Sequence, residues 1–505
     1  MEDLKLLFIF IYVAVIVIIS LTSMRKVKSL GDYYLGGRAV NPWMSAFSYG
    51  TAYFSAVVFI GYAGKLGWSF GMSTMWIVIG NCLVGTLLAW KVLGKRTREM
   101  TQRLNASTMP EFIGIRYNSR ALKIVTALII FIFLVPYSAS VFMGLSYLFE
   151  QVFNVPYMVA MIIMVAITAG YLLLGGFIAA TRTDFVQGLV MLAGSILMVF
   201  FVLSHSKVGG MVNAYQNLKA LNEMLVAPVG PPGLLPLVSL VVLTSLGSWG
   251  LPQMVHKFYT IRDARSIKYA TVVSTIFSLV ITFSAYYTGS LSRLFFPEAM
   301  PTAGGVANPD LIIPQILGQT QPDFMLGIIM ILIISASVST LASVVLASSS
   351  AIAIDLIKGA LKPDMPKKRV MLIMRILTAV FVVLSFAIAV LPNPILTMAA
   401  LSWGVVAGSL LAPYLYGLFW KGVTRAGVWA GICTGVATSL GSAIYFNFDA
   451  QYVPIFSAAA IVLPLVVVPV VSVFTRQFSR EHIFKMYPHA KVKDVKSAIP
   501  AEDTV

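Results

Sequence analysis

The 505-residue sequence predicts an all-α polytopic membrane protein, and three observations carry that prediction. Hydrophobic residues make up 58% of the chain and charged residues only 11%, far too little charge to cover a soluble protein of this length. Apolar runs of roughly 20 residues, long enough to cross a bilayer, recur from end to end. The connections between them alternate between rich and poor in Lys and Arg.

Reading apolar runs against breaks gives thirteen expected transmembrane helices, near 4–23, 42–64, 68–92, 120–149, 156–174, 184–204, 233–256, 268–292, 323–357, 371–391, 394–420, 425–446 and 452–475. The first run, LLFIFIYVAVIVIISLTS (6–23), exceeds the h-region of a signal peptide, follows Glu2 and Asp3, and precedes no small-residue cleavage site. It is expected to be a retained span. Arg25, Lys26, Lys28 and Arg38 follow the first span, and Lys95, Arg96, Arg98, Arg103, Arg116 and Arg120 the third. Lys257, Arg262, Arg265 and Lys268 follow the seventh, and Lys358, Lys362, Lys367, Lys368 and Arg369 the ninth. By the positive-inside rule the N-terminus is expected outside and the C-terminus in the cytoplasm, in a multi-pass plasma-membrane protein.

A net charge of +17 would suggest nucleic acid in a soluble chain. Here the basic residues mark topology, and the expected surroundings are the lipid bilayer, not nucleic acid. Residues 1–476 read as one transmembrane domain and 477–505 as a cytoplasmic tail. Cys82 and Cys433 sit in apolar segments without metal-ligand spacing and read as small buried hydrophobes. No HExxH motif and no paired carboxylates fall within a span, so an intramembrane enzyme is not expected.

Two spans look interrupted. The second reads NPWMSAFSYGTAYFSAVVFIGYAGKLG (41–67), with Gly50, Thr51 and Ser55 at its centre. The seventh reads SLGSWGLPQMVHKF (245–258), with Gly247, Gly250 and Pro252 in close succession. Close helix packing alone accounts for either break taken singly. Their separation by five spans fits inverted repeats, near 42–204 and 233–420, with a binding site where the breaks meet. The ninth span carries SASVSTLASVVLASSS (335–350). Ser339 and Ser343 share a helical face there, with Ala336 one turn before and Thr340 beside them. Hydroxyls facing carbonyls freed at the second span would form an uncharged oxygen cage, which suits a hard monovalent cation such as sodium. Ser348, Ser349 and Ser350 are expected to bond back to their own helix.

The motifs DYYLGGR (32–38), GGFIAATRTDFVQGLVM (175–191), the ninth span and APYLYGLFWKGVTRAGVWAGICTG (412–435) resemble the sodium:solute symporters. The resemblance implies a five-plus-five inverted-repeat core of the LeuT type and sodium-coupled import of a small organic solute by alternating access. The solute would be an organic acid, a pantothenate-like molecule or an amino acid. A sodium-independent uniporter or channel on the same fold is the alternative. It further implies a sodium site at the backbone oxygens of Thr51, Phe54 and Ala336 and the hydroxyls of Ser339 and Thr340. A second sodium would use Asp184 and Ser343, although Ala342 stands where another hydroxyl would help. Asp184 also reads as the cap of the sixth span. Tyr53, Tyr137, Ser248, Trp249 and Gln253 are the candidate substrate contacts. Tyr53, Thr244 and Ser248 replace the Asp, Trp and Tyr of proline carriers, which turns the expectation away from proline and towards a small organic acid or pantothenate-like solute.

Overall fold

A computed structural model describes residues 2–24, 30–391 and 394–487. Arg25, Lys26, Lys28 and the tail beyond 487 lie outside the described residues, as do the side chains of 171–178 in the glycine-containing motif. Among the described residues nine helices are long and apolar enough to cross a membrane, or ten if the bent pair Leu234–Gly250 and Pro252–Thr260 is one span. Two shorter apolar helices, Leu7–Ser23 and Tyr157–Gly170, fall on the expected first and fifth spans.

Among the described residues each expected apolar segment is helical, with boundaries that differ from expectation: Val57–Arg103 runs as one helical stretch from the second expected span through the third. The residues expected to link the fifth and sixth spans are helical in backbone, within Tyr157–Ser204. That segment contains Gly175 and Gly176 but no proline. Each glycine costs a helix only about 1 kcal/mol, which neighbouring packing can offset. Asp184 therefore lies inside a helix and is not an N-cap. Between the second and third spans the chain turns at Gly71, whose φ of +59° favours glycine. A Cβ at Gly71 would also stand 2.2 Å from the Leu225 carbonyl oxygen.

Side-chain caps start the helices that leave the polar ends. Asn41 accepts from the Trp43 N–H ahead of helix Pro42–Tyr53, with Pro42 in the first turn where its missing N–H costs nothing. Thr108, Ser119, Asp263 and Thr424 cap the helices that follow them in the same way.

The basic connections gather at one end of the bundle. Arg38 donates to the carbonyl of Ala106 at 2.7 Å, Arg98 to that of Ile261 at 3.0 Å, and Arg425 to that of Tyr117 at 2.8 Å. Arg96 reaches Leu418 at 3.0 Å, and the fully buried Arg116 reaches Trp420 at 3.1 Å. These two cations satisfy carbonyls at the C-terminal end of helix Ile395–Phe419, where the helix dipole favours positive charge. At the other end Trp76 donates to the Pro228 carbonyl, Arg293 to that of Trp68, and buried Asp310 accepts from the Ile395 N–H at 3.2 Å. Burial pushes the Asp310 carboxyl up to about 6, against the pull of that N–H and of Lys65.

Candidate functional site

Helix Pro42–Tyr53 stops at Phe54, whose backbone is extended (φ −112°, ψ 111°), and helical structure resumes with π-type turns over Val57–Tyr62. The Val58 N–H bonds to Ser55, so the Phe54 carbonyl loses its usual helical donor. The ninth span, within helix Asp323–Ser350, passes this break with its polar face buried. Ser339 Oγ lies 3.1 Å from the Thr51 carbonyl oxygen, and Thr340 Oγ1 lies 3.0 Å from the same atom. Thr340 also approaches the Ala52 carbonyl at 3.4 Å, and Ser339 approaches the carbonyls of Ser335 at 2.8 Å and Ala336 at 3.1 Å.

Thr51, Ala336, Ser339 and Thr340 are thus brought together, with Phe54 at the break itself. The Ala52 carbonyl, which the sequence did not single out, also faces the Thr340 hydroxyl. Further along the helix, Ser349 bonds back to Leu346 at 3.4 Å and Ser350 to Ala347 at 2.9 Å, as expected. Ser348 differs, since its hydroxyl has no partner.

The seventh span breaks at Leu251 (φ −83°, ψ 122°), between a tight turn at Gly247–Gly250 and helix Pro252–Thr260. The two halves meet at 46°. Gly250 permits a close approach to the eleventh span, where a Cβ would stand 2.8 Å from the Ala407 backbone.

Between the two breaks lies a cavity of about 20 Å³, lined by Tyr53, Phe54, Asn81, Tyr137, Thr244 and Trp403, with Tyr62 and Tyr286 beside them. That volume holds about one water, so a solute enters only as these side chains separate. The Tyr53 hydroxyl donates to the Thr244 carbonyl at 2.5 Å and lies 3.3 Å from Asn81 Oδ1. The Trp403 ring stacks with Tyr53, centroids 6.2 Å apart, and meets Tyr137 edge-on at 5.6 Å.

Of the five expected substrate contacts, Tyr53 and Tyr137 line the cavity, while Ser248, Trp249 and Gln253 do not. Ser248 and Trp249 turn to the third span, donating to the carbonyls of Gly85 at 3.2 Å and Val84 at 3.0 Å. Gln253 is buried with its Oε1 unpartnered. Asn81 and Trp403 were missed. Asn81, an amide inside an apolar run, carried a usable signal; Trp403 did not stand out from other span aromatics.

Asp184 and Ser343 also converge, but on a third group. Lys257, expected among the basic loop residues, is only 2% exposed. Its Nζ donates to Ser343 Oγ at 3.0 Å and Ser48 Oγ at 2.8 Å, and lies 3.8 Å from Asp184 Oδ2. The Ser48 hydroxyl donates to that same carboxylate oxygen. An ammonium therefore stands where the resemblance implied a second sodium.

Comparisons with known proteins agree with this architecture. The model of the sodium:solute symporter family matches residues 33–435. The chain is 28% identical to the osmoregulated proline transporter OpuE of Bacillus subtilis, over 85% of this chain and 87% of that one. It is 29% identical to the sodium/proline symporter of Escherichia coli, over 85% of each. Its fold is similar to that of a Na+-coupled sialic acid symporter, with a TM-score of 0.77 at 16% identity over 94% of this chain and 99% of that one. The all-α, LeuT-type class expected from sequence is the class observed.

Proposed function

Because the chain belongs to the sodium:solute symporter family, a membrane transporter that imports a small solute with sodium, we propose that its ion is held at the break of the second span. The ligands are the carbonyl oxygens of Thr51, Phe54 and Ala336 and the hydroxyls of Ser339 and Thr340. The observation that carries this is the convergence of both hydroxyls on one carbonyl, at 3.1 and 3.0 Å, beside a broken helix. A hydroxyl that bonds to a carbonyl can turn its proton away and present a lone pair. An uncharged set of oxygens holds a hard monovalent ion loosely enough to release it, whereas a divalent ion favours carboxylates.

The solute is assigned to the cavity between the breaks, with Tyr53, Tyr137, Asn81 and Trp403 as contacts. The described lining contains aromatic faces, hydroxyls and one amide, but no ionised side chain. This favours a compact solute without net charge, such as a zwitterionic amino acid of the proline kind, over an organic acid. The relatives named as proline carriers support the same choice, although the Tyr53 and Thr244 replacements set this cavity apart from theirs. The basic end of the bundle is assigned to the cytoplasm, with the N-terminus outside, and 42–204 and 233–420 to the two inverted repeats.

Uptake of labelled proline, other amino acids, pantothenate and short carboxylates into proteoliposomes tests this reading, with an inward sodium gradient against a potassium control. Sodium-dependent accumulation of a zwitterion above its outside concentration is the expected result. Equilibration alone, indifferent to sodium, would instead mark a uniporter or channel. Cysteine labelling that found position 362 outside would reverse the orientation.

A further inference from the structure

Lys257 is a lysine in the interior of a membrane protein, a placement that requires a specific counter-charge and hydrogen-bond acceptors. It sits in helix Pro252–Thr260, the far half of the broken seventh span. Three other helices meet it: Ser48 on the second span and Ser343 on the ninth accept its hydrogen bonds, and Asp184 on the sixth is its counter-charge. Ser48 precedes Thr51 by three residues, and Ser343 follows Thr340 by three. On both helices the ammonium is therefore one turn from the sodium cage, displaced toward the basic end of the bundle.

We propose that the Lys257 ammonium is a tethered cation that fills a second cation position, so that this chain binds one sodium ion per transport cycle and not two. This rests on the assignment of the first sodium to the Thr51–Thr340 cage. A buried carboxylate and two hydroxyl oxygens around a single positive charge form a cation site in the chemical sense. The covalent link to helix Pro252–Thr260 makes its occupancy independent of sodium concentration. A sodium ion entering beside the ammonium would meet a like charge at close range, while one carboxylate can neutralise only one of them. The same link ties the broken seventh span to the helices on either side of the sodium cage. A cation that another transporter would draw from solution is here part of the broken seventh span.

Equilibrium binding of radioactive sodium to the purified full-length protein in lipid nanodiscs tests the proposal without a known solute. Wild type is expected to bind one ion per chain, and Thr340→Ala to lower that affinity about ten- to hundredfold. Lys257→Ala, which removes the ammonium and leaves Asp184, Ser48 and Ser343 in place, is expected to bind two. Adding Asp184→Asn to Lys257→Ala should return the number to one. Two ions on wild type would overturn the proposal, and so would a folded Lys257→Ala protein that still binds one. Should Lys257→Ala fail to fold, the wild-type number decides alone. Sodium binding that Thr340→Ala leaves untouched would defeat the cage assignment, and the proposal with it.

Discussion

The hydroxyl of Tyr53, on the second span, lies 2.5 Å from the carbonyl oxygen of Thr244 on the seventh. This bond joins the two broken spans directly, at the wall of the solute cavity. The acceptor is a backbone carbonyl, so the bond depends on the Tyr53 side chain and not on that of Thr244. Removing the hydroxyl deletes a neutral hydrogen bond worth about 1 kcal/mol, or roughly fivefold in an equilibrium. Tyr53→Phe is therefore expected to change the apparent KM for solute several-fold in uptake assays. The sodium concentration for half-maximal uptake should move much less, because the ring and its stacking on Trp403 remain.

Asp310 gives a prediction in pH. Its carboxyl is raised from the ordinary value of about 3.9 to about 6, chiefly by burial. The folded chain therefore binds this proton more tightly than the unfolded chain does. Stability from this group is fully present below about pH 4 and is lost as pH rises through about 6. Asp310→Asn keeps an oxygen for the Ile395 N–H and removes the buried charge. Its Tm should exceed that of wild type at pH 7.5, and the difference should shrink at pH 5 and vanish near pH 4. A difference independent of pH would show that the charge is not the cause.

Gly289 tests the packing of the eighth span against the second. A Cβ there would stand 2.0 Å from the carbonyl oxygen of Ala63, and one at Gly67 would meet the Gly289 backbone at the same distance. Backbone atoms cannot rotate away as a side chain can, so the helices must separate. Gly289→Ala is expected to cost about 1–3 kcal/mol, as overpacking does, and to lower Tm in detergent. Gly318→Ala, where a Cβ meets nothing within 4 Å, is the control and should change little.

Much of this arrangement was legible in the sequence, and the illegible parts share a cause. The apolar runs placed the helical segments because bilayer thickness fixes their length. The hydroxyls of Ser339 and Thr340 stood out because small polar groups on a membrane helix need acceptors, and the break at Thr51–Phe54 offered them. Lys257 did not stand out. It follows the apolar run 233–256 directly, where a lysine ordinarily reaches for the interface. Only the tertiary fold places Ser48, Asp184 and Ser343 around it. The turn at Gly247–Gly250 likewise directs Ser248 and Trp249 to the carbonyls of the third span, a rotation that residue identity does not reveal.

The central claim is that the hydroxyls of Ser339 and Thr340 at the break bind sodium, while that of Ser349, farther along the ninth span, serves only its own helix. Losing a hydroxyl from the cage removes a contact to a charge worth about 1.5–3 kcal/mol, which is about ten- to hundredfold in affinity. Losing the Ser349 hydroxyl frees only a carbonyl that keeps its helical partner. The decisive measurement is the sodium concentration for half-maximal binding by wild type, Ser339→Ala, Thr340→Ala and Ser349→Ala, each purified and inserted in lipid. The account predicts about a ten- to hundredfold rise for Ser339→Ala and Thr340→Ala and a value near wild type for Ser349→Ala. Equal shifts in all three, or none at Thr340, would contradict it.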